Sequence, residues 1–168
     1  MKQRICFVIL IVFVLVLLTT GLILGRTNKN ISALSVIAEK SYENYAWGRT
    51  YRGEAILSDG TIVEWENYDS YYSLKDIVDN SNWIIKNCKV KIRRVSKKDL
   101  KKLNEYIGHI QDEFKYESSK GFDIGSTCIK IYNYEIKRQL KLTETGDLVG
   151  NNNSEIAIKC VKLIEKYL

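Results

Sequence analysis

RGEAILSDGTIVEW, residues 52–65, sets an Asp-Gly pair between two short apolar runs, and the reading of that pair decides the class of fold. A chemical role for Asp59 competes with a purely geometric one. Asp-Gly supplies the positive φ angles of a type I′ turn, and apolar runs on either side mark the arms of a β-hairpin. With Asp59 and Gly60 as a two-residue loop, Leu57 falls opposite Ile62, Ile56 opposite Val63, and Glu54 opposite Trp65. Asp59 is therefore read as a turn residue. Both faces of this hairpin carry apolar groups, which places it toward the middle of a sheet covered at least partly on both sides.

A second hairpin is predicted in TCIKIYNYEIKRQLKL, residues 127–142, with Asn133 and Tyr134 as its loop. In that register Ile129, Ile131, Ile136, Leu140 and Leu142 share a core face. Cys128, Lys130, Tyr132, Glu135, Lys137, Gln139 and Lys141 share a wet one. Three helices accompany the hairpins. Ser73 caps a segment with Leu74, Ile77, Val78, Ser81, Ile84, Ile85 and Cys88 on one face, and Asp76 stands at the acidic position of a capping box. Ser96 and Asp99 repeat the arrangement ahead of Leu100, Leu103, Tyr106, Ile107, Ile110 and Phe114. Ser154 opens a last helix with Ala157, Cys160, Val161, Ile164 and Leu168 inward. A further strand is possible over residues 33–39. Strands and helices without strict βαβ alternation predict an α+β domain: an antiparallel sheet of two hairpins, with or without the fifth strand, and about three helices packed on one face.

Ahead of this domain, ICFVILIVFVLVLLTTGLIL, residues 5–24, contains no charged residue. At about 1.5 Å per residue, such a helix covers the roughly 30 Å hydrocarbon core of a bilayer. Lys2 and Arg4 precede it, as in a signal peptide, but no Ala-x-Ala follows and the apolar stretch exceeds a usual signal core. The predicted organisation is a short tail at 1–4, an uncleaved transmembrane signal anchor at 5–25 and one extracytoplasmic domain at 26–168. That domain holds 24 basic and 20 acidic residues, a mildly basic balance that does not point to nucleic acid.

Catalytic signals are thin. His109 is the single histidine, so no two-histidine metal or acid–base site is available. Cys88, Cys128 and Cys160 follow no disulfide spacing; Cys88 with Cys160 is the better pair if a bridge forms, and two buried thiols serve equally well. The polar stretch 143–157 reads as a loop leading into the Ser154 cap, and calcium ligation there is the lesser alternative. No catalytic residue, cofactor or metal is expected.

Two features suggest binding. From Lys89 to Lys102, KVKIRRVSKKDLKK, eight of fourteen residues are basic and only Asp99 opposes them. Arg93, Arg94, Lys97, Lys98 and Lys101 form a candidate contact for anionic surfaces. Tyr45, Trp47, Tyr51, Tyr71 and Tyr72 form a candidate aromatic contact surface. One anchor followed by one α+β domain is similar in layout to small membrane-tethered extracytoplasmic proteins of Gram-positive bacteria. The expected function is a noncatalytic envelope module inserted in the membrane, with an envelope protein, anionic lipid or wall polymer as partner. A small membrane-tethered enzyme and a cytoplasm-facing accessory protein are the alternatives.

Overall fold

The computed structural model describes residues 33–44, 50–67, 77–119 and 125–168. The predicted anchor, the Ser73 cap and Tyr45, Trp47, Tyr71 and Tyr72 lie outside these residues. Among the described residues no helix is long and apolar enough to cross a membrane.

The unit Leu34–Leu168 is an α+β domain. Its strands are β1 (Val36–Asn44), β2 (Thr50–Leu57), β3 (Thr61–Asn67), β4 (Lys89–Arg94), β5 (Phe114–Ser119), β6 (Ser126–Asn133), β7 (Arg138–Gly146) and β8 (Leu148–Asn152). Its helices are α1 (Ile77–Asn87), α2 (Lys97–His109) and α3 (Glu155–Glu165). The eight strands form one antiparallel sheet in the order β4-β3-β2-β1-β6-β7-β8-β5. The extra strand expected at 33–39 is the longer β1, and it sits at the centre.

The first hairpin forms, with a register one residue away from the predicted one. Ile56 pairs with Ile62, Ala55 with Val63, and Glu54 with Glu64. The loop holds three residues, Ser58 to Gly60, closed by Gly60 N–H donating to Leu57 O at 2.8 Å. Only Gly60 takes a positive φ there, 83°, as in a type I turn followed by a left-handed residue. Asp59 keeps a negative φ and accepts from Thr61 N–H at 2.9 Å, which stabilises the three-residue loop over the I′ turn. The pairing sets two carboxylates, Glu54 and Glu64, opposite each other, which is repulsive by itself. Lys91 of β4 lies between them, ion-paired to Glu54 and 3.0 Å from Glu64.

The second hairpin also has a longer loop than predicted. Asn133 pairs with Arg138 across a four-residue loop, and Asn133 Oδ1 accepts from the N–H groups of Glu135 and Ile136 at 3.1 and 3.3 Å. Lys137 takes a positive φ of 52°, and Ile136 sits exposed in the turn instead of in the core.

Alternation along β2 divides the apolar residues between two faces. Ile56 joins Ala38, Ile62, Ile129, Ile131, Leu140 and Leu142 beneath Leu103 and Ile107 of α2 and Ala157, Cys160 and Ile164 of α3. Tyr51, Ala55 and Leu57 point the other way, where Tyr51 packs at 5.4 Å from Trp83 of α1. Ser81 of α1 accepts from Val36 N–H at 2.9 Å on that side. The helices therefore cover both faces, which corrects the expectation of one, and the hairpin's two apolar faces are the reason. Cys160 lies beneath the α2–α3 side and Cys88 follows α1, so the two do not meet; Cys88, Cys128 and Cys160 are all free thiols.

Both legible caps form: Ser96 Oγ accepts from Asp99 N–H at 3.2 Å and Ser154 Oγ from Ala157 N–H at 3.3 Å. Helix α2 ends at His109 and Phe114 opens β5, so the predicted helical period overran the element. The stretch 143–157 is not a loop: it contains the end of β7, all of β8 and the start of α3.

Placing a Cβ at Gly60 forces the left-handed region, at about 1–2 kcal/mol. Gly60→Ala is expected to lower the unfolding free energy by roughly that amount, read by urea denaturation, and Asp59→Ala by about 1 kcal/mol through loss of the turn bond.

Candidate interaction surface

Of the face of the second hairpin expected to be wet, Cys128 and Tyr132 are buried, Lys130, Gln139 and Lys141 are half-buried, and Glu135 and Lys137 in the turn are exposed. Glu39, wholly inaccessible on β1, pairs in register with Lys130 of β6, whose ammonium lies 3.1 Å from the carboxylate. Tyr132 Oη donates to the same carboxylate, Ser41 Oγ donates at 3.1 Å, and Gln139 Nε2 donates to Tyr132 Oη at 3.0 Å. A buried carboxylate with this many donors is satisfied, and removing one partner leaves charge uncompensated. Burial, reinforced by the Glu39 charge, pushes the Tyr132 phenol well above its ordinary value. Cys128, beside this group, is raised to about 12, chiefly by burial. Burial alone raises Cys160 to about 12. Neither thiol offers a thiolate near neutrality.

A depression of about 680 Å³ opens on the other face. Its wall includes Lys40, Arg52, Glu54, Glu64, Glu66 and Leu168. Lys91 already engages Glu54 and Glu64, and Arg52 lies 5.1 Å from the centre of the Tyr42 ring. A shallower hollow on α2 is lined by His109, Lys101, Glu105 and Glu135 together with Lys97, Leu100, Asn104 and Gly108. His109 Nδ1 donates to Glu105 O at 2.7 Å, and the hollow's lining contains no hydroxyl or thiol. No group of His, Cys, Asp and Glu side chains among the described residues is arranged to hold a metal ion.

The basic run is divided between two elements. Lys89–Arg94 forms β4, an edge strand, and Lys97 onward forms α2. Arg93 donates to Tyr167 O, and Arg94 donates to Asp59 Oδ2 at 2.8 Å and Asp59 O at 3.0 Å. Asp59 thus also anchors an arginine. Lys101 lies 4.0 Å from Glu105, whereas Lys97, Lys98 and Lys102 are exposed and ion-pair with no described residue. Asp99, the run's one acid, is held by Lys166 Nζ at 2.6 Å and Tyr167 Oη at 2.8 Å. Those partners, the Lys166 ammonium foremost, lower its pKa. The positive field of α2's first turns is therefore not neutralised from within.

Of the candidate aromatics, Tyr51 is the one described. It is 1 % exposed and packs between Trp65 and Trp83 at 5.6 and 5.4 Å. The Glu39 group and the exposed Val90 and Ile92 of β4 had not been singled out from the sequence. The strict alternation of KVKIRR was the available signal for β4.

Tyr132→Phe removes a donor from the Glu39 carboxylate and is expected to cost about 1–3 kcal/mol in urea denaturation. The buried thiols set an alkaline limit. Their folded pKa of about 12 exceeds the ordinary 9.0, so the folded state binds more protons and stability declines from pH 9 upward. Native-state alkylation followed by mass spectrometry is expected to label half-buried Cys88 first, with Cys128 and Cys160 labelled only on unfolding. No family model matches the chain, and no curated protein or solved structure matches it.

Proposed function

We propose that the chain is a noncatalytic binding module of a bacterial envelope, anchored in the membrane by residues 5–25 and exposing its folded unit outside the cytoplasm. The carrying observation is the uncompensated cationic surface at the start of α2. Lys97, Lys98 and Lys102 are exposed, and the neighbouring Asp99 is consumed by Lys166 and Tyr167. Cations in a first helical turn oppose the helix dipole, a local cost that an anionic partner offsets. The disposition of the reactive groups supports binding over catalysis. Cys128 and Cys160 are buried thiols, the Glu39 carboxylate is satisfied by its own domain, and His109 faces a hollow without a nucleophile.

Binding of this kind is electrostatic at its surface and weakens with salt. Full-length protein in phosphatidylcholine nanodiscs is expected to be retained on polyglutamate resin. The variant Lys97→Glu/Lys98→Glu/Lys101→Glu should elute at distinctly lower salt; equal elution refutes the cationic contact. Protease added to intact cells should remove the folded unit, while survival until lysis replaces this reading with the cytoplasm-facing one.

A further inference from the structure

We propose that β4 is a docking edge that takes up an extended acidic segment of a partner protein as a ninth strand. The inference rests on the binding-module reading and gives its partner a chemical class. β4 ends the sheet, so its outward backbone groups face no described strand. Val90 and Ile92 project from alternate positions with exposures of 47 % and 104 %. Val90 shares the face of its partner Val63, while Lys89, paired with Glu64, and Lys91, bound to Glu54 and Glu64, occupy the other.

Lysine on an edge strand is commonly a guard against unwanted pairing. A guard requires a charge lying free across the path of an incoming strand. Here three of the four cations are drawn aside, Lys91 to Glu54 and Glu64, Arg93 to Tyr167 O, and Arg94 to Asp59, while Lys89 stays exposed at the first position of the strand. The ladder to β3 shifts register between the Val63–Val90 and Thr61–Arg94 pairs, and the side chain left fully in water, that of Ile92, lies in the shifted stretch. An incoming strand with Val or Ile beside Val90 and Ile92 covers that apolar surface. Its intervening Asp or Glu residues meet the exposed Lys89 and Arg93, and its continuation meets Lys97 and Lys98. A second copy of the chain does not fit: β4 against β4 opposes KVKIRR to itself, with four cations and no acid on each side.

The probe is a labelled ten-residue peptide alternating Glu and Val, and the control alternates Glu and Pro at equal charge. Full-length protein in phosphatidylcholine nanodiscs is used for both. The Glu-Val peptide is expected to bind saturably and to slow amide exchange across residues 89–94 at least tenfold. The exposed variant Val90→Thr/Ile92→Thr, which keeps strand propensity, should weaken that binding at least tenfold. Equal binding of both peptides without protection of the β4 amides overturns strand addition and leaves the electrostatic reading standing. Binding to phosphatidylglycerol vesicles without binding of the peptide overturns it in favour of a lipid partner. If peptides, vesicles and polyglutamate resin all fail to bind, the underlying reading falls as well.

Discussion

The domain depends on the antiparallel ladder between β1 and β6. It joins two four-stranded halves, β4-β3-β2-β1 and β6-β7-β8-β5, and it brings Glu39 against Lys130. Both faces of this seam are covered, so a carboxylate inside it requires donors from its own neighbours. Lys130, Tyr132 and Ser41 supply them. A slip of one residue along the seam turns Glu39 toward Ile56 and Ile131 and strands Lys130. The polar group is therefore a register device as much as a stabilising one, while Ala38, Ile56 and Ile131 on the opposite face carry the apolar burial.

The legible parts of this architecture are those set by neighbours in sequence. Ser96 and Ser154 cap helices because their bonds span three residues, and both hairpins exist because their turns are local. Register is less legible. A two-residue and a three-residue loop at Ser58–Gly60 differ by one step, and β2 is apolar on both faces, so no face preference chooses between them. The Glu39 group escapes inspection for a related reason: Glu39 and Tyr132 stand 93 residues apart. β4 was hidden by its own composition, since eight basic residues in fourteen draw the eye from the alternation of Val90 and Ile92. β5 and β8, FKYESS and LVGNN, have weak patterns of their own and take strand form through each other and β7.

Charge in the basic run is handled in two ways. Along β4 two of the cations are folded back: Lys91 relieves the repulsion between Glu54 and Glu64, and Arg94 secures the Asp59 turn. Along α2 Lys97, Lys98 and Lys102 are left to solvent, and Lys166, just past the end of α3, withdraws the one acid of the run. The first arrangement stabilises the sheet; the second leaves potential available to a partner.

Strands β4 and β5 are consecutive among the strands of the chain yet close opposite edges of the sheet, with α2 between them in sequence. During synthesis β1 to β4 can assemble as a meander as soon as they emerge. β5 then waits for β8, the last strand made, before its backbone finds a partner. For that interval a nascent chain carries an uncommitted strand, and the polar, charged character of FKYESS keeps it soluble until the ribosome has delivered its mate.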